Sequence, residues 1–159
     1  MVRKATNNDI PAISELYCEQ FREMAKLIPD FIKEGDQSTE FIENTITNEA
    51  SDILVYENDG TVVGFILLQA KTRPDFEFMH PGKYCYIMDI IVNEKYRGKG
   101  FGTALMNAAK DWAKRTGNAG EWKDMSFTGN LKKLDITGIK ERNAAGEIGI
   151  DEVQAVLKA

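Results

Sequence analysis

Histidine occurs once in this chain and cysteine twice, a scarcity that removes most metal and redox chemistry at the outset. Cys18 and Cys85 are far apart and show no metal or redox spacing, so reduced thiols in a cytoplasmic protein are the expectation. His80 alone is a poor start for a zinc cluster, and no metal is expected. Long apolar runs are missing too. Phe65 to Leu68 and Ile90 to Val92 fall far short of the roughly 20 residues that span a bilayer, so no membrane role is expected. Met1-Val2-Arg3-Lys4 opens onto no apolar signal core. A cationic excess is also absent: the net charge is −5, which disfavours nucleic acid and would attract a cationic amine.

What is present is an ordinary globular composition, 43% hydrophobic over 159 residues, which fits one domain with a core of its own. Val2 to Thr6 can form a short strand. Asn8 or Asp9 can then cap a helix with Pro11 in its first turn and a stripe at Ile10, Ile13, Leu16, Tyr17, Phe21, Met24 and Ile28. One long helix or two short ones would fit before Pro29. After a polar connector, Ser38 can cap a helix ending near Asn48. Asp52 to Glu57 and Thr61 to Lys71 read as a hairpin around Asn58-Asp59-Gly60. Thr72 to Gly82 reads as a loop. Lys83 to Asn93, apolar at nearly every position, predicts a central strand covered on both faces. Leu105, Met106, Ala109, Trp112 and Ala113 predict a helix ending at Gly117. Further on, Trp122 to Phe127 and Leu131 to Ile139 could be strands, and Asp151 can cap a terminal helix.

Between the central strand and the clearest helix lies Tyr96-Arg97-Gly98-Lys99-Gly100-Phe101-Gly102-Thr103. Glycine at every second position lets backbone N–H groups close around an anion, and the helix start adds unpaired amides and its positive dipole end. Arg97 and Lys99 add charge. A P-loop needs Ser or Thr after its Gly-Lys pair, whereas Gly100 follows Lys99. A Rossmann fingerprint needs a third glycine where Thr103 stands. Both readings fail. A tight turn with solvated Arg97 and Lys99 stays open as the plainer alternative.

The remaining pattern, Arg97-x-x-Gly100-x-Gly102 directly after a strand, resembles the acyl-CoA pyrophosphate loop of the GNAT superfamily of N-acetyltransferases. The run Tyr86 to Met106 resembles that family's core strand, loop and helix, and the likeness extends over residues 1 to about 117. It implies an α/β (α+β) fold with a mixed, mostly antiparallel central sheet, helices on both faces and a splayed central strand. It also implies acetyl-CoA as cofactor, with Ile91 and Val92 offering backbone to the pantetheine arm and Arg97, Gly98, Lys99, Gly100, Phe101, Gly102 and Thr103 holding the pyrophosphate. The implied reaction is acetyl transfer to an amine of a small molecule or protein, in a single GNAT-like domain over residues 1–159.

An alkylamine is neutral in only about one molecule in two thousand at pH 7, so attack benefits from a base. Asp89 is the ionisable carboxylate inside the apolar central strand, and the family often has an acidic base near this place. Pairing with a cation or with backbone amides is the competing use. Glu77 and Asp75 are weaker candidates, and Cys85 lacks an activating partner. Tyr84 and Tyr86 could reach an acyl group, but core packing is the expected use of both. The segment from about 118 departs from the family pattern, with no tyrosine beyond Tyr96 to protonate the leaving thiolate. Three outcomes fit that tail: a divergent solution, completion by strand exchange in a homodimer, or an acyl-CoA-binding module without turnover. A binding module for another nucleotide is a further alternative.

Overall fold

Ile53, Val55, Phe65 and Leu67 turn to one side of a hairpin and Leu54, Ile66 and Leu68 to the other, and every one of them is buried. A hairpin apolar on both faces needs cover on both. The computed structural model describes residues 1–72, 77 and 82–117, and it supplies that cover with helices on each side. The elements run β1 (Val2–Lys4), a 3-10 turn (Asn7–Asp9), α1 (Ile10–Leu27), α2 (Thr39–Thr47), β2 (Ser51–Asn58), β3 (Thr61–Thr72), β4 (Lys83–Val92), a second 3-10 turn (Glu94–Tyr96) and α3 (Phe101–Arg115). The sheet order is β1-β2-β3-β4, with every neighbouring pair antiparallel.

Ile13, Leu16 and Tyr17 of α1 and Ile42 of α2 close one face. Leu105, Ala109, Trp112 and Ala113 of α3 close the other. Burial of each aliphatic side chain between them contributes roughly 1.5–3 kcal/mol, so the two-sided core is the main source of stability. One polar tie fixes α3 to the sheet: Trp112 Nε1 donates to Asp52 Oδ2 at 2.6 Å, and Lys4 pairs with the same carboxylate.

Local chemistry sets the element ends. α1 is one helix, not two, with Pro11 in its first turn, where no backbone N–H is needed, and Pro29 just past its end. The Ser38 hydroxyl accepts from the Phe41 N–H at 3.3 Å and starts α2. Asp59 and Gly60, with φ of 50° and 76°, form the two-residue turn between β2 and β3. Among the described residues β4 is the last strand in the order, and most of its side chains are half-buried, with Cys85 and Ile87 packed in the core on one face and Met88 and Ile91 in the core on the other. The strands at Trp122 to Phe127 and Leu131 to Ile139 and the helix capped by Asp151 lie outside the described residues.

Asp9, only 6% exposed, joins β1 to the start of α1. Arg3 donates to it from both terminal nitrogens at 2.8 Å, and its Nε reaches Glu57 at 2.7 Å on β2. The Thr6 N–H adds a fourth bond to this cluster at 2.8 Å. Hydrogen bonding to Arg3 outweighs the opposing effect of burial and holds the Asp9 carboxyl at about 2, below its ordinary 3.8. A depressed carboxyl contributes stability that is complete above the unfolded value and disappears as the pH falls through the folded one. The urea midpoint should therefore drop between about pH 5 and about pH 2, and Asp9→Asn should lose roughly 1–2 kcal/mol at neutral pH and show a shallower acid slope. An unchanged slope in that variant would remove Asp9 as its source.

Candidate functional site

β4 carries one residue more than its partner. Leu67 faces Asp89 and Leu68 faces Ile87, so Met88 is the extra residue of a β-bulge. Below it, Cys85 and Ile87 lie on the α3 side; above it, Ile91 lies with the α1 core, and Met88 packs there as well. The bulge thus brings Asp89 to the α1 face. There the buried Tyr17 hydroxyl donates to Asp89 Oδ2 at 2.9 Å. Burial first, and then the neighbouring Asp89 charge, push the Tyr17 phenol well above its ordinary value, so it remains a donor.

Gly64 permits the close approach of β3 to the far end of β4. A Cβ there would meet the Ile91 carbonyl oxygen at 2.7 Å. The Asn93 N–H donates to Val63 O at 3.0 Å, which makes Phe65 and Ile91 the next bonded pair and turns the polar backbone groups of Val92 away from β3. Asn93 then ends the strand: its Oδ1 accepts from the Lys95 N–H at 3.1 Å, and its Nδ2 donates to both Glu19 oxygens of α1 at 2.8 and 2.9 Å.

The glycine loop follows. Gly98 and Gly100 have φ of 76° and 83°, a region disfavoured for other residues, and Gly100 is the N-cap of α3. The first bond of the helix runs from the Ala104 N–H to Gly100 O at 3.0 Å, so the amides of Phe101, Gly102 and Thr103 have no partner within the helix. A cavity of about 450 Å³ opens there, lined by Val92, Tyr96, Arg97, Gly98, Gly100, Phe101, Gly102 and Thr103. Phe101 is held outside the core by stacking on Tyr56 at 4.2 Å and on Tyr96 at 6.3 Å. Such a cavity, lined by amides with no partner among the described residues, suits an anion.

Arg97 departs from simple expectation. Its Nε donates to Val92 O at 2.9 Å and its Nη2 pairs with Glu23 of α1 at 2.8 Å, so the guanidinium already braces the loop. Lys99 sits over the Tyr96 ring at 5.0 Å. Cys85 packs against the α3 side, where burial pushes its thiol up to about 11, too high for a nucleophile at neutral pH. Tyr84 and Tyr86 are half-buried on the opposite side of β4. Glu77 is exposed in a turn, while Asp75 and His80 lie outside the described residues. Sequence reasoning missed Tyr17, Glu19, Glu23 and Asn93. The one available signal was Glu19 and Glu23 four apart on α1, an acidic face able to meet the basic loop.

The acetyltransferase (GNAT) family model matches residues 10–126, which include α1, Asp89 and the whole cradle. The chain is 31% identical over 116 residues to the uncharacterized N-acetyltransferase YhfO of Bacillus subtilis, spanning 73% of this chain and 72% of that protein. It is 27% identical over 116 residues to the uncharacterized N-acetyltransferase MJ1207 of Methanocaldococcus jannaschii, spanning 73% of this chain and 49% of the other. Among solved structures, a mutant of the BH1408 protein from Bacillus halodurans aligns with a TM-score of 0.70 at 21% identity, over 73% of this chain and 76% of that one. An acetyltransferase from Vibrio fischeri aligns at 0.62 with 20% identity, over 74% and 88%. These two structures share the fold.

Gly64→Ala would force a methyl group onto the Ile91 carbonyl, a backbone atom that cannot swing aside. A loss of about 1–3 kcal/mol in denaturant unfolding is expected. A loss below about 0.5 kcal/mol would contradict this strand pairing.

Proposed function

The chain belongs to the acetyltransferase (GNAT) family, and on that premise we propose that it transfers an acetyl group from acetyl-CoA to a primary amine of a small molecule or protein. The observation that carries this reading is the row of amides at Phe101, Gly102 and Thr103, without a partner among the described residues, in a cavity at the end of β4. Its lining fits a pyrophosphate: the glycines at 98 and 100 leave open space where a side chain would stand, and backbone donors supply the bonds. Gly98 to Thr103 would hold that group. The outward-facing backbone of Val92, next to Ile91, would take the pantetheine arm, with Arg97 bracing the loop and Lys99 adding charge.

Acetyl-CoA supplies a thioester whose carbonyl carbon accepts the amine nitrogen and whose C–S bond breaks, with both reactants bound together. Asp89 is assigned the base role. It would take one proton from the bound ammonium ion, so that the neutral nitrogen can attack without first losing that proton to bulk water; the second nitrogen proton, lost as the adduct collapses to the amide, would pass to solvent, and the departing thiolate would gain a proton from solvent. The bulge at Met88 supports this role, because it turns the carboxylate to the α1 face of β4, beside the strand end that leads to the cradle.

Two measurements test the reading. CoA and acetyl-CoA should each raise the thermal midpoint of the purified chain, and Gly100→Asp, which adds a side chain and a negative charge to the cradle, should abolish the rise. Thiol release with pooled amines should then fall about 100-fold or more in Asp89→Asn. Absence of any thermal shift would sink the cofactor assignment. Binding without release across the amine panel would select the non-catalytic acyl-CoA module instead.

A further inference from the structure

We propose that Tyr17 is a positioning residue for Asp89, holding one carboxylate oxygen so that the other edge of the group keeps a fixed aim; the inference rests on the reading of Asp89 as base. Tyr17 is 1% exposed and comes from the middle of α1, 72 residues from Asp89 in the chain. Its ring is fixed twice, by Phe65 on β3 at 4.9 Å and by Phe21 one helical turn on at 5.7 Å. A ring clamped in this way can aim its hydroxyl in few directions. The one it takes is toward Asp89 Oδ2 at 2.9 Å.

The energetics make the contact more than packing. A buried hydroxyl without a partner costs on the order of 1–3 kcal/mol, so the geometry of Tyr17 and that of Asp89 constrain each other. A bond to a charged oxygen is also about twice as strong as a neutral one, and it weakens if the carboxylate rotates. Phenylalanine at 17 would keep the clamped ring and lose only the aim.

The test uses the full chain with acetyl-CoA and an amine that it acetylates, comparing Tyr17→Phe, Asp89→Asn and the double variant. Tyr17→Phe is expected to lower kcat about 5- to 30-fold while leaving the KM for acetyl-CoA and the CoA-induced thermal shift unchanged. In the Asp89→Asn background the same change should do nothing further, within about twofold, because Tyr17 acts through the missing carboxylate. Multiplicative losses in the double variant, or wild-type kcat in Tyr17→Phe beside a deep loss in Asp89→Asn, would overturn the inference and leave the base reading standing. Full turnover in Asp89→Asn would remove the base reading and this inference with it. The carbon-13 carboxyl resonance of Asp89 gives a readout independent of turnover: it should move in Tyr17→Phe, and an unmoved resonance would overturn the inference too.

Discussion

The pairing of β4 with β3 is the constraint on which the candidate site depends. Two features set it: the absence of a side chain at Gly64, which lets the Ile91 carbonyl approach, and one extra residue at Met88. Strict alternation from Tyr86 would put residue 90, not Asp89, on the α1 face. The bulge reverses that parity for the last part of the strand. It follows that Asp89 meets Tyr17, that Ile91 joins the α1 core, and that Val92 ends the strand with its backbone turned outward, directly before the cradle.

A second level of order is the polar seam along α1. Tyr17 reaches Asp89, Glu19 reaches Asn93 and Glu23 reaches Arg97, so helix and strand end are tied at three successive places. The outermost of these links contributes little to global stability. The Glu23 and Arg97 side chains are 39% and 49% exposed, where an ion pair contributes at most about 1 kcal/mol. Their effect is on geometry. The apolar faces hold α1 against the sheet by burial, which has no direction, whereas the three bonds are directional and tie the helix to the strand end beside the cradle. Core burial provides stability, and the seam provides register.

How much of this was legible in the sequence follows from the range of the interactions. The Asp59-Gly60 turn, the Ser38 cap and the start of α3 at Gly100 depend on residues within a few positions of one another, and each was readable. The positive-φ glycines of the loop were readable for the same reason. The bulge was not, since Met88 lies in a run apolar at nearly every place and nothing in composition marks a change of parity. The seam was illegible because its partners lie 72 and 74 residues apart. Tyr17 was visible only as one more member of a helical stripe, for an aromatic ring at that spacing reads as core whatever its hydroxyl does. The role given to Arg97 was incomplete on the same ground: its charge could be read, but the carboxylate that engages it stands on another element.

That engagement changes how the cradle can attract an anion. The chain carries a net charge of −5, and Glu23 already pairs with Arg97, so a long-range positive field is not what the loop offers. At physiological ionic strength charges separated by more than about 8 Å are largely screened in any case. What is left acts at contact: the amides of Phe101, Gly102 and Thr103, the partial positive charge of a helix terminus, about half an elementary charge, and Lys99 at the rim. The amides and the helix terminus are fixed in place, because α3 is anchored by Trp112 and Phe101 is stacked on Tyr56 and Tyr96. Fixed donors lose little freedom when an anion arrives, and their energy depends steeply on distance and angle. On the proposed reading, a site built in this way would select by the shape and spacing of anionic oxygens more than by their charge, and it could do so in an acidic protein. The same acidity leaves the surroundings favourable to a cation, the sign that an alkylamine carries at neutral pH.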